Sequence, residues 1–216
     1  MSRVNALIDT LAADARAVRP LRPPLTRAAG WIAVVALLGG LAIYLLSDVQ
    51  QLLRRYAGRE GMLALEMLAM LATGVLAVVA AFFLAIPGRS RRWLFAPMVP
   101  FAAWLLLSGA GCYRDLVRNG PSGLEIGHSL DCLIFILVVS VALAPPLIWL
   151  LARARPIDPM PVALLGGLGV AALAAFILQF FHPFAATFVD LAVHLFAIAT
   201  VVIVTTILNR RALSPA

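Results

Sequence analysis

Apolar residues along this chain gather into six long blocks separated by short polar stretches, at 28–47, 62–86, 93–112, 133–152, 160–181 and 188–208. Each holds on the order of 20 residues, the length an α-helix needs to cross a bilayer's hydrocarbon core. Alternating strands of about ten residues, the other spanning solution, do not fit runs this continuous. Inside a bilayer the backbone finds no water, so these blocks must satisfy their hydrogen bonds internally, as helices. The pattern predicts an all-α integral membrane protein. A six-helix transmembrane bundle over 28–210 follows a tail over 1–27 and precedes a short terminus over 211–216.

A second periodicity runs through the tail. In "NALIDTLAADARAV", Leu7, Ile8, Leu11, Ala15 and Val18 recur at helical spacing and predict one amphipathic helix. Asn5 reads as its N-cap, and "RPLRPP" (19–24) ends it, because proline cannot continue a helix. Such a helix either lies on the inner leaflet, arginines against anionic lipid, or offers its apolar face to a partner's groove. The segment is too polar and too long for a secretory signal, and no A-x-A-like site follows the first block. A retained anchor is therefore expected.

Composition agrees: mean hydropathy is +1.00 and 12% of residues are charged, against roughly 25% in soluble domains. All seventeen basic residues are arginine. Twelve fall on one side of the predicted spans: Arg3, Arg16, Arg19, Arg22, Arg27, Arg89, Arg91, Arg92, Arg153, Arg155, Arg210 and Arg211. The other side has Arg54, Arg55, Arg59, Arg114 and Arg118. The positive-inside rule then puts both termini in the cytoplasm. The +7 net charge follows from topology and argues no direct nucleic-acid partner. Loops this short leave no extramembrane catalytic domain, so no enzyme is expected. Gly166, Gly167, Gly169, Ala171 and Ala175 mark the fifth span for close helix packing. Pro97, Pro100 and the pair Pro145–Pro146 should kink the third and fourth spans.

Against this background "GCYRDLVRNGPSGLEIGHSLDC" (111–132) stands out, because it carries the chain's two cysteines at its ends. On the predicted topology it faces outward, where thiols can be oxidised and disulfides persist. Cys112 closes the third span and Cys132 opens the fourth. As antiparallel neighbours the two would bring their Cα atoms within bridging range, roughly 4.4–6.8 Å. His128, four residues before Cys132, shares its helical face if the helix reaches back that far. Asp131, Glu66, His182 and the Asp190–His194 pair gather at the same level. Ionisable groups in a membrane are expensive enough to suggest function. The thiols can be read as a static disulfide, a reactive or metal-binding pair, or inert. As a metal site, Cys112, Cys132, His128 and His182 would suit zinc or another soft ion held transiently, with no resident cofactor. Glu66, Asp131, Asp190 and His194 would stand behind them, or simply pair with one another.

In their order and spacing these pieces resemble one family. "AVRPLRPP", the six spans, "SGAGCYRDL…GPSG…GHSLDC", "ARARPIDP" and "HPFAATFVDLAVHL" together look like the NrsF-type membrane anti-sigma factors, negative regulators of sigma F. The resemblance covers nearly the whole chain. It implies a bacterial inner-membrane protein that holds an extracytoplasmic-function sigma factor inactive through its cytoplasmic tail. Leu7, Ile8, Leu11, Ala15, Val18 and Arg19 are the implied contacts. Release would follow when oxidant or heavy metal reaches the outer cysteines. The family's G-x-S-x-x-C cysteine falls on Cys132, its G-C-Y cysteine on Cys112, and its histidine after the fifth span on His182. Many members follow that histidine with a further cysteine; here Pro183 stands instead.

Two other classes compete. A membrane thiol–disulfide redox protein usually needs a C-x-x-C shuttle, which is missing from this sequence. A metal or solute transporter should carry polar groups through the bilayer midplane, whereas the ionisable residues here stop near the outer surface.

Overall fold

A helix that is apolar all round has no face to give to solvent and belongs at the centre of its fold. In the computed structural model the fifth span takes that place. The structure describes residues 3–14, 20–48, 50, 53–54, 62–120, 127–181 and 188–213. Its long helices are α1 (Arg3–Ala13), α2 (Pro24–Leu46), α3 (Met62–Leu84), α4 (Met98–Asn119), α5 (Gly127–Ala152), α6 (Pro159–Leu178) and α7 (Phe188–Leu213). Six of these, α2 to α7, are long and apolar enough to cross a membrane. The molecule is an all-helical, multi-pass membrane protein.

Glycine and alanine let α6 occupy the centre. A Cβ on Gly169 would stand 2.6 Å from Val78 Cγ2 and 3.2 Å from the Gly74 carbonyl oxygen of α3. A Cβ on Gly167 would stand 2.9 Å from Val202 Cα of α7. Backbones this close exclude any larger residue, and in lipid such packing is a main source of helix association. Of the hydrophobic window of α6, 78% is buried, against 17% for α2 at the periphery. Leu37, Val99, Leu106 and Val141 point outward from the other helices, the exposure expected of lipid-facing positions.

Neighbour relations differ from chain order. α3 and α7 pack most closely on α6; α5 packs on α7 and α6; α4 packs on α3 and touches α7; α2 rests on α3 and touches α5. Among the described residues α4 and α5 make at most marginal contact. The expectation that the third and fourth spans are neighbours is therefore overturned. The physical reason is reach. Seven residues, 120–126, join the two helices, and at 3.3–3.6 Å per residue they can extend about 25 Å. That exceeds a helix diameter of about 10–12 Å, so a short loop does not force adjacency.

Two further expectations change. Pro97 does not kink a continuous helix: a 3-10 turn over Arg91–Phe95 precedes α4, with Pro97 at the N-cap and Pro100 in the first turn. First-turn N–H groups have no helical acceptor, so proline is tolerated there. Asn5 lies inside α1 and does not cap it. Pro145 and Pro146 do sit within α5, where the carbonyls of Val141 and Ala142 lose their N–H donors. Every described residue of α1 is exposed, including Val4, Leu7, Ile8 and Leu11. Ala15, Val18 and Arg19 lie outside the described residues.

Candidate functional site

On α3, α4, α5 and α7 one stripe turns inward, and each of these stripes ends in polar residues at the same end of the bundle. On α4 the stripe is Trp104, Ser108 and Cys112, all buried at four-residue spacing. On α5 it is Cys132, Ile136, Ser140, Ala144, Leu147 and Leu151. On α7 it starts with Asp190 and His194 and continues through Ile198, Val201 and Thr205. On α3 it starts with Leu63, Glu66 and Met67. Helical periodicity alone therefore aims Glu66, Ser108, Cys112, Cys132, Asp190 and His194 into the interior.

Hydrogen bonds hold Ser108 to Glu66 and fix the His194 ring. The Ser108 hydroxyl donates to Glu66 Oε1 at 2.5 Å, joining α4 to α3. His194 Nδ1 donates to the Asp190 carbonyl one turn earlier at 2.6 Å. A carbonyl can only accept, so Nδ1 carries the proton and, in the neutral ring, Nε2 carries the lone pair. Ser108, Glu66, His194, Asp190 and Cys132 thus make up a polar layer at one end of four helices. Its members are all buried, where charge–dipole interactions are stronger than in water and unpaired groups are costly. Gln179, buried at the C-cap of α6, and the Phe135–Phe181 ring contact at 5.4 Å lie at this same end.

The two cysteines are buried on different helices. Cys132 belongs to the main hydrophobic core; Cys112 does not, and sits one turn beyond Ser108 on α4. α7 packs on α5 and touches α4. Asp131 is exposed at the rim, beside Cys132 but directed away from the interior. His128 falls in the first turn of α5, its side chain outside the described set, and His182 is outside the described residues altogether. Among the described residues no three of His, Cys, Asp or Glu are grouped so as to hold a metal ion.

Sequence reasoning missed Ser108, although its place between Trp104 and Cys112 on a four-residue spacing was visible. It also missed Arg27. Deeper in the bundle, the Thr73, Thr205 and Thr206 hydroxyls donate to carbonyls of their own helices at 2.6–2.7 Å. They are satisfied locally, and this is ordinary for hydroxyls in apolar helices.

At the opposite, tail end, arginine and aromatic residues hold the helices together. Arg27 donates through Nη2 to the Leu150 carbonyl of α5 and lies 5.1 Å from the Phe82 ring of α3. Arg89 lies over Phe83, which stacks on Trp93 at 4.2 Å, and Arg91 pairs with Asp158 at 3.0 Å.

Residues 11–214 match the family described as NrsF, negative regulator of sigma F. No curated protein gives a significant match, and no solved structure does either.

Proposed function

The chain belongs to the NrsF family, and we propose that it is an anti-sigma factor of the bacterial inner membrane. In this reading the cytoplasmic tail sequesters an extracytoplasmic-function sigma factor, and stress at the outer face releases it. The observation that carries the tail assignment is α1 itself. Val4, Leu7, Ile8 and Leu11 share one apolar face, and none is covered by the bundle. A helix of this kind docks by laying its apolar face into a partner's groove. Ala15, Val18 and Arg19 continue the same set along the chain.

The buried polar layer supports a sensing role for the cysteine end. Oxidation would join Cys112 to Cys132 with loss of two protons and two electrons to the oxidant; a soft metal ion would replace the thiol protons by metal–sulfur bonds. His128 and His182 are further candidate ligands for such a transient ion. A disulfide needs Cα atoms within about 4.4–6.8 Å, and α4 and α5 meet through α7. Closing a bridge would clamp the cysteine ends of α4 and α5 together, with α7 carried along. At its other end α5 holds Arg27, just beyond the tail. That connection is the route by which a shift at Cys132 would reach α1. A change in sigma affinity of useful size needs about 1–3 kcal/mol of coupling.

Co-purification in mild detergent tests the reading. The intact protein should retain a sigma factor identified by mass spectrometry, and a version lacking residues 2–24 should not. Absence of a sigma factor from both samples would sink the proposal.

A further inference from the structure

Two arginines stand at the tail end of the bundle beside the last turn of α5. Arg27 lies in the first turn of α2, part-buried, with its guanidinium on the Leu150 carbonyl near the end of α5. Because the N–H groups of Ala154 and Arg155 turn to the Leu151 and Ala152 carbonyls, Arg27 takes the place of a helical donor there. Three residues beyond Leu150, Arg153 lays its guanidinium over the Trp149 ring, 3.7 Å from the centroid. Both guanidinium groups therefore stand at the last turn of α5, one on the Leu150 carbonyl and the other on the Trp149 ring.

Neither has a carboxylate partner among the described residues, and Asp158, the acid paired at this end, is held by Arg91. Arg27 is part-buried and gains from a counter-charge that offsets its desolvation, and the exposed Arg153 stands three residues past its acceptor Leu150. The donors are available. A guanidinium has five N–H groups; Arg27 directs Nη2 at Leu150, and the indole occupies the face of Arg153 but not its N–H edge. Trp149 is itself 56% exposed on the outside of α5, which is the lipid side of a spanning helix. An interfacial tryptophan marks headgroup depth. Basic pockets between spans at that depth suit lipid phosphate, and arginine forks match its oxygens.

We propose that the tail ends of α2 and α5 bind the phosphate of an anionic phospholipid between Arg27 and Arg153, with its acyl chains lying past Trp149. The bound headgroup sits where the tail enters the bundle.

The test uses the full chain in zwitterionic detergent, with native mass spectrometry and thermal melts. Phosphatidylglycerol, phosphatidylcholine and inorganic phosphate are added separately. Phosphatidylglycerol should form a resolved adduct and raise the melting midpoint, and the other two should do neither. Arg153→Gln touches no backbone group and should weaken phosphatidylglycerol binding about tenfold or more. Arg92→Gln removes the same charge elsewhere on this end and should bind as the parent does. Equal binding of phosphatidylcholine, an unchanged Arg153→Gln, equal loss in Arg92→Gln, or full reproduction by inorganic phosphate would each overturn the proposal.

Discussion

Replacing Gly167 by alanine isolates the packing energy at the centre of the bundle. The new Cβ would lie 2.9 Å from Val202 Cα and closer still to Thr205 Oγ1. Carbon atoms at rest prefer about 3.5–4.0 Å, so α6 and α7 must separate by on the order of half an ångström or more. The obstacle is backbone and cannot rotate away, and overpacking of this kind costs about 1–3 kcal/mol. Alanine also favours the helix over glycine by about 1 kcal/mol, which partly masks the loss. Gly40→Ala removes that ambiguity, because a Cβ on Gly40 meets nothing within 4 Å while the propensity gain is the same. The difference between the two variants is then the packing cost. For a chain of this size it corresponds to a melting midpoint about 2–12 °C lower for Gly167→Ala than for Gly40→Ala. Circular dichroism melts in one detergent measure it directly. Gly167→Ala melting at or above Gly40→Ala would refute the close approach of α6 and α7.

Other outcomes follow from single contacts. Ser108→Ala leaves the buried Glu66 carboxyl without its 2.5 Å donor and should cost about 1–3 kcal/mol; Ser108→Thr, which keeps the hydroxyl, should recover most of it in the same melts. Arg91→Ala breaks an ion pair whose side chains are 80% and 50% exposed, so the midpoint should stay within the equivalent of about 1 kcal/mol of the parent. Leu7→Glu with Leu11→Glu alters a face that the bundle does not cover. This pair should abolish sigma co-purification at unchanged thermal stability, and retained sigma factor would remove α1 from the interface. Cys132→Ser should keep sigma binding but lose induction by oxidant or heavy metal in a reporter strain, so normal induction would exclude Cys132 as sensor.

The membrane architecture was legible in one dimension because its cause acts locally. Twenty apolar residues in a row must become a helix in lipid wherever the rest of the chain goes, so six spans follow from the blocks alone. The burial of α6 was foreshadowed for a similar reason: only a helix lined with residues such as Gly167 and Gly169 tolerates such close neighbours. Adjacency has no such local cause. Nothing between Asn119 and Gly127 says that α4 and α5 part, because that loop is long enough for either arrangement. Packing made the choice, setting α4 on α3 and α5 on α6 and α7, and it placed Cys112 and Cys132 on helices that both touch α7. The same packing set Ser108 on Glu66 and Arg27 on the Leu150 carbonyl, contacts between residues 42 and 123 positions apart. Residue types and periodicity limit which side chains face inward. Which of them meet depends on how whole helix surfaces fit together, and that is a property of the assembled bundle.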